Sequence, residues 1–152
     1  MNEIEFVKTY TYLGIEQCSS GLFVVTCKDR IAKARAAMGA ALSTCKSANL
    51  YSFNAPLKLF DAIVTNSLLY AAPIWAIQQR FMDEVEVIQS LFLKKTLCLP
   101  RNTSSHMLRC ETGSVKLKCR IFENLLKFWY RILCMEDNRL VKVGATSYTR
   151  VA

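Results

Sequence analysis

Seven cysteines and one histidine are the residues of this sequence whose chemistry suits metal binding or nucleophilic attack. His106 lies between Cys98 and Cys110, and Cys119 follows, but these gaps do not match the ligand spacing of a zinc finger. The sequence has no Cys-x-x-Cys pair, and nothing in it marks a base beside a thiol. We therefore expect no metal site and interpret the cysteines as small buried hydrophobes of a reduced, intracellular protein.

Acidic residues provide no patterned catalytic pair. They cluster at Asp83, Glu84 and Glu86, at the start of a predicted helix, where they suit the positive end of the helix dipole. The sequence contains no Gly-rich phosphate loop and no Ser/His/Asp order typical of a hydrolase. We expect no catalytic residues and no cofactor on this chain.

The basic residues indicate a function more clearly than the cysteines or the acidic residues do. The 152 residues include 20 Lys and Arg against 12 Asp and Glu, and the resulting net charge of +8 favours a polyanionic partner. One edge of the first predicted helix combines cations with small residues, which would let another backbone approach while the cations reach phosphates. Its members are Lys28, Ala32, Arg35, Ala36, Gly39, Ser43 and Lys46. A second basic face, on the last helix, consists of Lys116, Arg120, Lys127 and Arg131.

Each basic face also has a purely structural interpretation. Small residues on the first helix equally suit tight helix–helix packing, with the Lys and Arg side chains extending into solvent. The charges of the last helix equally suit an ordinary solvated face. The residues alone leave both interpretations open.

Hydrophobic periodicity predicts the elements that would position these residues. Alternation over Thr9–Leu13, a break at residues 19–21 and a β-rich run over Leu22–Thr26 predict a β-hairpin. Apolar residues at helical spacing then predict four long helices: from Lys28 to about Lys46, from Pro56 to a kink or end at Pro73, from Met82 to Leu97, and from about Ser114 to Met135. The fold class is therefore mainly α, a helical bundle of about four long helices preceded by an N-terminal β-hairpin.

The chain divides into a hairpin at 1–27, a helical domain at 28–136 and a loosely ordered tail at 137–152. Its start lacks the basic-then-apolar order of a secretory signal. The longest uncharged run, Ala62–Gln79, contains polar residues and Pro73, so we expect a buried core helix there and no membrane span. An intracellular location, in the nucleus or cytoplasm, follows from these signals.

An ordered series of segments resembles the region after the catalytic palm in non-LTR retrotransposon reverse transcriptases, which are RNA-directed DNA polymerases of transposable elements. The segments are YTYLGIEQCSSGLF, the run from Cys27 to Leu42, LKLFDAIVTNSLLYAAPIWA, IQSLFLKKTLCLPRNTSSHML and ENLLKFWYRIL. They span roughly Tyr10 to Leu133, in the order and at spacings similar to those of the family. Any one segment is weakly specific, and the series carries the resemblance.

The resemblance implies a role for both the hairpin and the helices. Tyr12, Leu13 and Gly14 match the primer-grip hairpin, which holds the 3′ end of the primer. The helices would be the thumb, which cradles an RNA/DNA template–primer duplex, so that Lys28, Arg35 and Lys46 would contact its phosphates. An A-form-like hybrid has a wide, shallow minor groove that suits a smooth basic helix edge.

The sequence also departs from the family. The Tyr-x-Asp-Asp motif, the fingers and the palm are absent from it, so we expect a C-terminal fragment whose partners include the missing palm and fingers, with Mg²⁺ bound only in that palm. Ala72-Pro73 replaces the Gly and polar residues common at this point of the family. Two alternatives stay open: a stand-alone basic helical nucleic-acid-binding module and a helical protein-interaction adaptor.

Self-association is a further expectation from the hairpin. Its apolar side chains would be covered by a palm in the full polymerase, and uncovered they would form an apolar patch beside unpaired strand edges. These side chains are Tyr10, Tyr12, Leu13, Phe23 and Val25.

Overall fold

A computed structural model describes residues 7–18, 23–49, 52, 54–76, 78–136, 139 and 142. Strands β1 (Thr9–Tyr12) and β2 (Ile15–Cys18) come first. The helices are α1 (Val24–Ser47), α2 (Asn54–Phe60), α3 (Asn66–Leu69), α4 (Ala72–Trp75), α5 (Met82–Thr96), α6 (Ser105–Thr112) and α7 (Leu117–Leu133). A π-helical turn, Asp61–Thr65, joins α2 to α3, and a 3-10 turn, Gln79–Phe81, precedes α5. The predicted fold class, helices after an N-terminal hairpin, is confirmed.

The hairpin lies earlier in the sequence than predicted. β1 and β2 pair in antiparallel fashion with Tyr12 opposite Ile15, so the turn consists of Leu13 and Gly14. Both residues have positive φ, 49° and 72°, which a tight two-residue turn requires and which glycine adopts at little cost. The predicted turn at residues 19–21 lies outside the described residues, and so does nearly all of the predicted tail.

The predicted second strand over Leu22–Thr26 is wrong in its described part, because Val24 already begins α1. Val24, Cys27 and Ile31 continue the helical spacing of the α1 core face, with Val24 partly buried against the core and the other two within it. Packing of this face therefore overrides the β propensity of Val24, Val25 and Thr26.

The core lies where α1 packs against the π-helical turn, α3 and α5. From α1 it receives five apolar side chains at helical spacing: Cys27, Ile31, Ala34, Met38 and Ala41. Phe60 and Phe92 meet within it with ring centroids 4.6 Å apart, and Trp75 of α4 is fully buried. One face of α1 is thus fixed by the core, and its other faces are available for other roles.

The second predicted helix is interrupted before Pro73. α3 ends at Leu69, Tyr70 is extended, and Ala71 has a left-handed backbone with φ 55°. α4 then begins at Ala72 and holds Pro73 in its first turn, where the missing N–H of proline has no helical partner to lose. The predicted interruption of this helix is present, but its position is wrong: it lies at Tyr70 and Ala71, before the proline and not at it.

Glu86 of α5 joins α6 and α7 to the bundle. Its carboxylate accepts a hydrogen bond at 2.9 Å from the backbone N–H of Lys118, in the first turn of α7, and forms an ion pair with Arg109 of α6. The predicted start of the last helix at Ser114 is wrong, because α7 begins at Leu117. A carboxylate from another helix supplies the acceptor that a local N-cap side chain would have supplied.

Replacement of Glu86 by Ala should lower the free energy of unfolding by about 3 kcal/mol, since it leaves Arg109 without its carboxylate in a site where both side chains are mostly buried. Urea denaturation would measure the loss. Glu123→Ala is the control, because the Glu123–Lys127 pair is largely exposed and its loss should change the free energy of unfolding much less. Equal losses from the two variants would contradict the bridging role of Glu86.

Candidate nucleic-acid interface

The tip of the hairpin points its side chains outward while its backbone is tied to the helices. Leu13 is 70% exposed and Tyr12 is 55% exposed. The carbonyl of Leu13 accepts a hydrogen bond from the Tyr70 hydroxyl at 2.6 Å, and the carbonyl of Gly14 accepts one from the Arg30 guanidinium. β2 is fixed in the same way, because the hydroxyl of Thr26 donates to the carbonyl of Glu16 at 2.5 Å. A ligand at the tip would therefore meet a positioned hairpin.

Arg30 is the residue of this region that sequence reasoning missed. It is buried on the core side of α1, its guanidinium lies 4.8 Å from the centre of the Tyr70 ring, and it is 3.6 Å from the Asp29 carboxylate. Its Nε is buried with no hydrogen-bond partner among the described residues. The position of Arg30 in the sequence could have indicated its role. It lies three residues after Cys27 and four before Ala34, on the core face of α1. A cation on such a face needs hydrogen-bond or charge partners.

The predicted basic edge of α1 is exposed along its whole length. All seven of its members, from Lys28 to Lys46, are solvent-exposed. Within the described part of the chain Lys28 and Lys46 form no ion pair, whereas Arg35 pairs with Glu84 of α5 at 3.1 Å, an exposed contact. Two cations are thus directly available to a polyanion, and the third would have to exchange a carboxylate for a phosphate.

Gly39 lies at the middle of this edge and faces open space. A Cβ atom added at Gly39 would meet no atom of the described residues within 4 Å outside its own helix turn. Within the described part of the chain, the small residues of the edge are therefore not used for tight packing against a neighbouring helix, which was the structural interpretation of the pattern.

A groove of about 740 Å³ adjoins the C-terminal end of this edge. It lies between α1, the start of α2 and the end of α5, and its lining includes Gly39, Ser43, Lys46, Pro56 and Lys95. The sequence assigns Lys94 and Lys95 to the negative end of the α5 dipole, and both do lie in its last turn. Lys95 lines the groove together with Lys46, whereas Lys94 lies outside this lining and donates to the carbonyl of Arg101 at 2.7 Å.

Two of the four cations on the predicted basic face of α7 are paired with neighbouring carboxylates. Arg120 pairs with Asp61 at 2.5 Å, and Lys127 pairs with Glu123 at the same distance. The hydrogen bond and charge of Lys127 lower the pKa of Glu123, so that carboxylate stays ionised. Among the described residues Lys116 and Arg131 form no ion pair, and Lys116 is half-buried. The geometry therefore favours the α1 edge over the α7 face as the place where a polyanion would bind.

The prediction that the cysteines are buried is correct for Cys27 and wrong for four others, Cys98, Cys110, Cys119 and Cys134, which are exposed because they lie on the outer sides of their helices and turns. Cys27 is fully buried and donates to the carbonyl of Trp75 at 3.3 Å, and burial raises the pKa of its thiol to about 11. It is therefore neutral at physiological pH. In the part of the chain described here, no three His, Cys, Asp or Glu side chains are grouped so as to hold a metal ion. Nor does any described helix combine the length and apolar character that crossing a membrane requires.

Comparisons of the chain with protein-family models, with curated proteins and with solved structures give no match. The resemblance to reverse transcriptases therefore rests on the quoted segments alone and stays a prediction.

Replacement by alanine should change the free energy of unfolding in opposite directions at Gly39 and at Gly14. Gly39→Ala should raise the free energy of unfolding by about 0.5–1 kcal/mol, because the site is an open position inside a helix. Gly14→Ala should lower it by about 1–2 kcal/mol, because residue 14 has φ 72° in the turn. Urea denaturation of both variants would show this, and a destabilised Gly39→Ala would mean that the edge is packed after all.

Proposed function

We propose that this chain binds an RNA/DNA template–primer duplex, as the region following the palm does in non-LTR retrotransposon reverse transcriptases. The observation that carries the proposal is the exposure of every residue on the α1 edge, with cations at both ends and a glycine facing open space near its middle. In this proposal the edge lies along the duplex, and the tip at Tyr12, Leu13 and Gly14 holds the primer end.

The dimensions of the edge suit a duplex backbone. Lys28 and Lys46 are separated by about 27 Å along the helix axis, at 1.5 Å per residue. Between them the exposed side chains at Ala32, Ala36 and Ser43 are short, so phosphates could approach the helix closely. Such contacts read the backbone and the shape of a hybrid and carry no base-sequence information.

In this proposal the chain binds its duplex together with a palm and fingers that lie on another part of the polymerase. Two-metal phosphoryl transfer needs carboxylates of the palm, so catalysis and Mg²⁺ binding would belong to the palm and fingers as partners. The location would be intracellular, in the nucleus or cytoplasm. A stand-alone nucleic-acid-binding module would use the same α1 edge, and it differs in requiring no palm for tight binding.

Replacement of Lys28, Arg35 and Lys46 by Gln should weaken binding to an RNA/DNA hybrid. Each lost phosphate contact should reduce the slope of log K against log salt by about 0.7–0.9, so the triple variant should lose about two to three units of slope. Fluorescence anisotropy over a salt series would measure it.

Two controls accompany the triple variant. Replacing Lys33, Lys58 and Lys127 by Gln removes the same charge from exposed positions outside the edge and should change the slope much less. Changing Lys94 and Lys95, at the end of α5, should also have a smaller effect, because of the two only Lys95 lines the groove beside the edge. Circular dichroism should show that every variant remains helical. Equal losses in all variants would indicate diffuse attraction and would contradict the proposed edge.

The chain alone should extend no primer on an RNA template with Mg²⁺ or Mn²⁺, since the carboxylates for two-metal catalysis are not among its residues. A primer-extension assay would test this, with an intact reverse transcriptase as the positive control. Extension that persists through purification to homogeneity would overturn the assignment of catalysis to a separate palm.

A further inference from the structure

Helix α7 carries a second apolar stripe in addition to the one it buries. Its buried residues are Leu117, Ile121 and Ile132. The outer stripe lies about 125° further round the helix, at 3.6 residues per turn. It consists of Cys119, Phe122, Leu126, Trp129 and Leu133. Leu126 and Leu133 are each 68% exposed and Trp129 is 42% exposed, so the described part of the chain leaves the outer stripe largely uncovered.

The spacing of the outer stripe indicates what could cover it. Its members are separated by three, four, three and four residues, the pattern through which two helices pack side by side. Three cations of α7, Arg120, Lys127 and Arg131, lie on a different side of the helix, where Lys127 is already paired with Glu123. Lys118 borders the outer stripe, but it lies in the first turn of the helix. Two such helices could therefore approach each other without bringing like charges into the central layers of the contact.

We propose that the outer stripe is a dimer interface, in which α7 packs antiparallel against α7 of a second copy of this chain. One register makes the stripe complementary to itself: Leu126 lies opposite the partner's Trp129, and Phe122 lies opposite the partner's Leu133. The two-fold axis repeats both pairs, so each of the four layers combines one aromatic ring with one leucine. A parallel arrangement would instead place Trp129 against Trp129 and leucine against leucine.

The exposed area is sufficient for a weak dimer. Taking roughly 200 Å² for a large side chain, Leu126, Trp129, Leu133 and the adjacent Tyr130 leave on the order of 500 Å² exposed on each chain. Two copies would bury about 1,000 Å², which is the lower bound for a specific interface. The dimer should accordingly have a dissociation constant in the micromolar range.

Sedimentation velocity over about 1–200 µM chain should show a concentration-dependent monomer–dimer equilibrium. Leu126→Glu and Trp129→Lys should each be monomeric when measured alone, because each places a charge in two of the four layers. An equimolar mixture of the two variants should regain a dimer. In the antiparallel heterodimer Glu at 126 faces Lys at 129, while the other central layer keeps its native Trp and Leu.

Two control variants separate the outer stripe from other exposed apolar side chains. Met107→Glu changes a 66% exposed residue of α6, and Tyr12→Glu changes the hairpin; both should dimerise like the unaltered chain. A monomeric unaltered chain at about 200 µM would overturn the proposal. So would a dimer that survives Leu126→Glu and is lost with Tyr12→Glu, which would place association at the hairpin. Mixing without rescue would exclude the antiparallel register.

Discussion

The guanidinium of Arg30 holds the hairpin on the helical bundle. A two-stranded hairpin is only marginally stable in water by itself. This one is stabilised by hydrogen bonds that the carbonyls of its turn accept from the helical bundle. Arg30 donates to one of these carbonyls and stacks on Tyr70, whose hydroxyl binds the other. A lysine could not replace it, because a single ammonium group lacks the planar surface and the forked donors that this arrangement uses. The position of the tip relative to the α1 edge therefore depends on this contact.

Hydrophobic periodicity along the sequence predicted most of the helices and strands. It could not predict contacts between residues that are far apart in the sequence. The stripe of Ile31, Ala34, Met38 and Ala41 gave α1 its core face correctly, since helical period and burial agree there. The hairpin turn was misplaced because Ser and Gly are frequent turn formers, whereas the observed Leu13-Gly14 turn depends on anchors from α1 and Tyr70. The start of α7 was misplaced because its acceptor, Glu86, lies 31 residues before Leu117 in the sequence.

The two basic faces illustrate why net charge alone does not locate an interface. In the sequence they look equivalent, with Lys and Arg at regular helical spacing. In the fold, Asp61 and Glu123 pair with two of the four cations of the α7 face and a third, Lys116, is half-buried. The α1 edge is exposed throughout, and among the described residues only Arg35 of its three cations is paired. The members of the α1 edge are exposed, and their role as phosphate contacts stays a prediction. The carboxylate that restrains Arg35 was not foreseen, because Glu84 comes from a separate helix.

The π-helical turn Asp61–Thr65 means that the chain contains one residue more at this point than a continuous α-helix would need. Such a turn absorbs an inserted residue while the helices on either side keep their own faces toward the core. Deletion of one residue here would restore regular α-helical geometry and leave Phe60 and Leu68 on the buried side. It would, however, remove the wide turn in which the Thr65 hydroxyl donates to Asp61, and with it the orientation of the carboxylate that Arg120 reaches from α7. A change in the length of this segment would thus leave the core packing intact. Its first effect would be on the ion pair between Asp61 and Arg120 of α7.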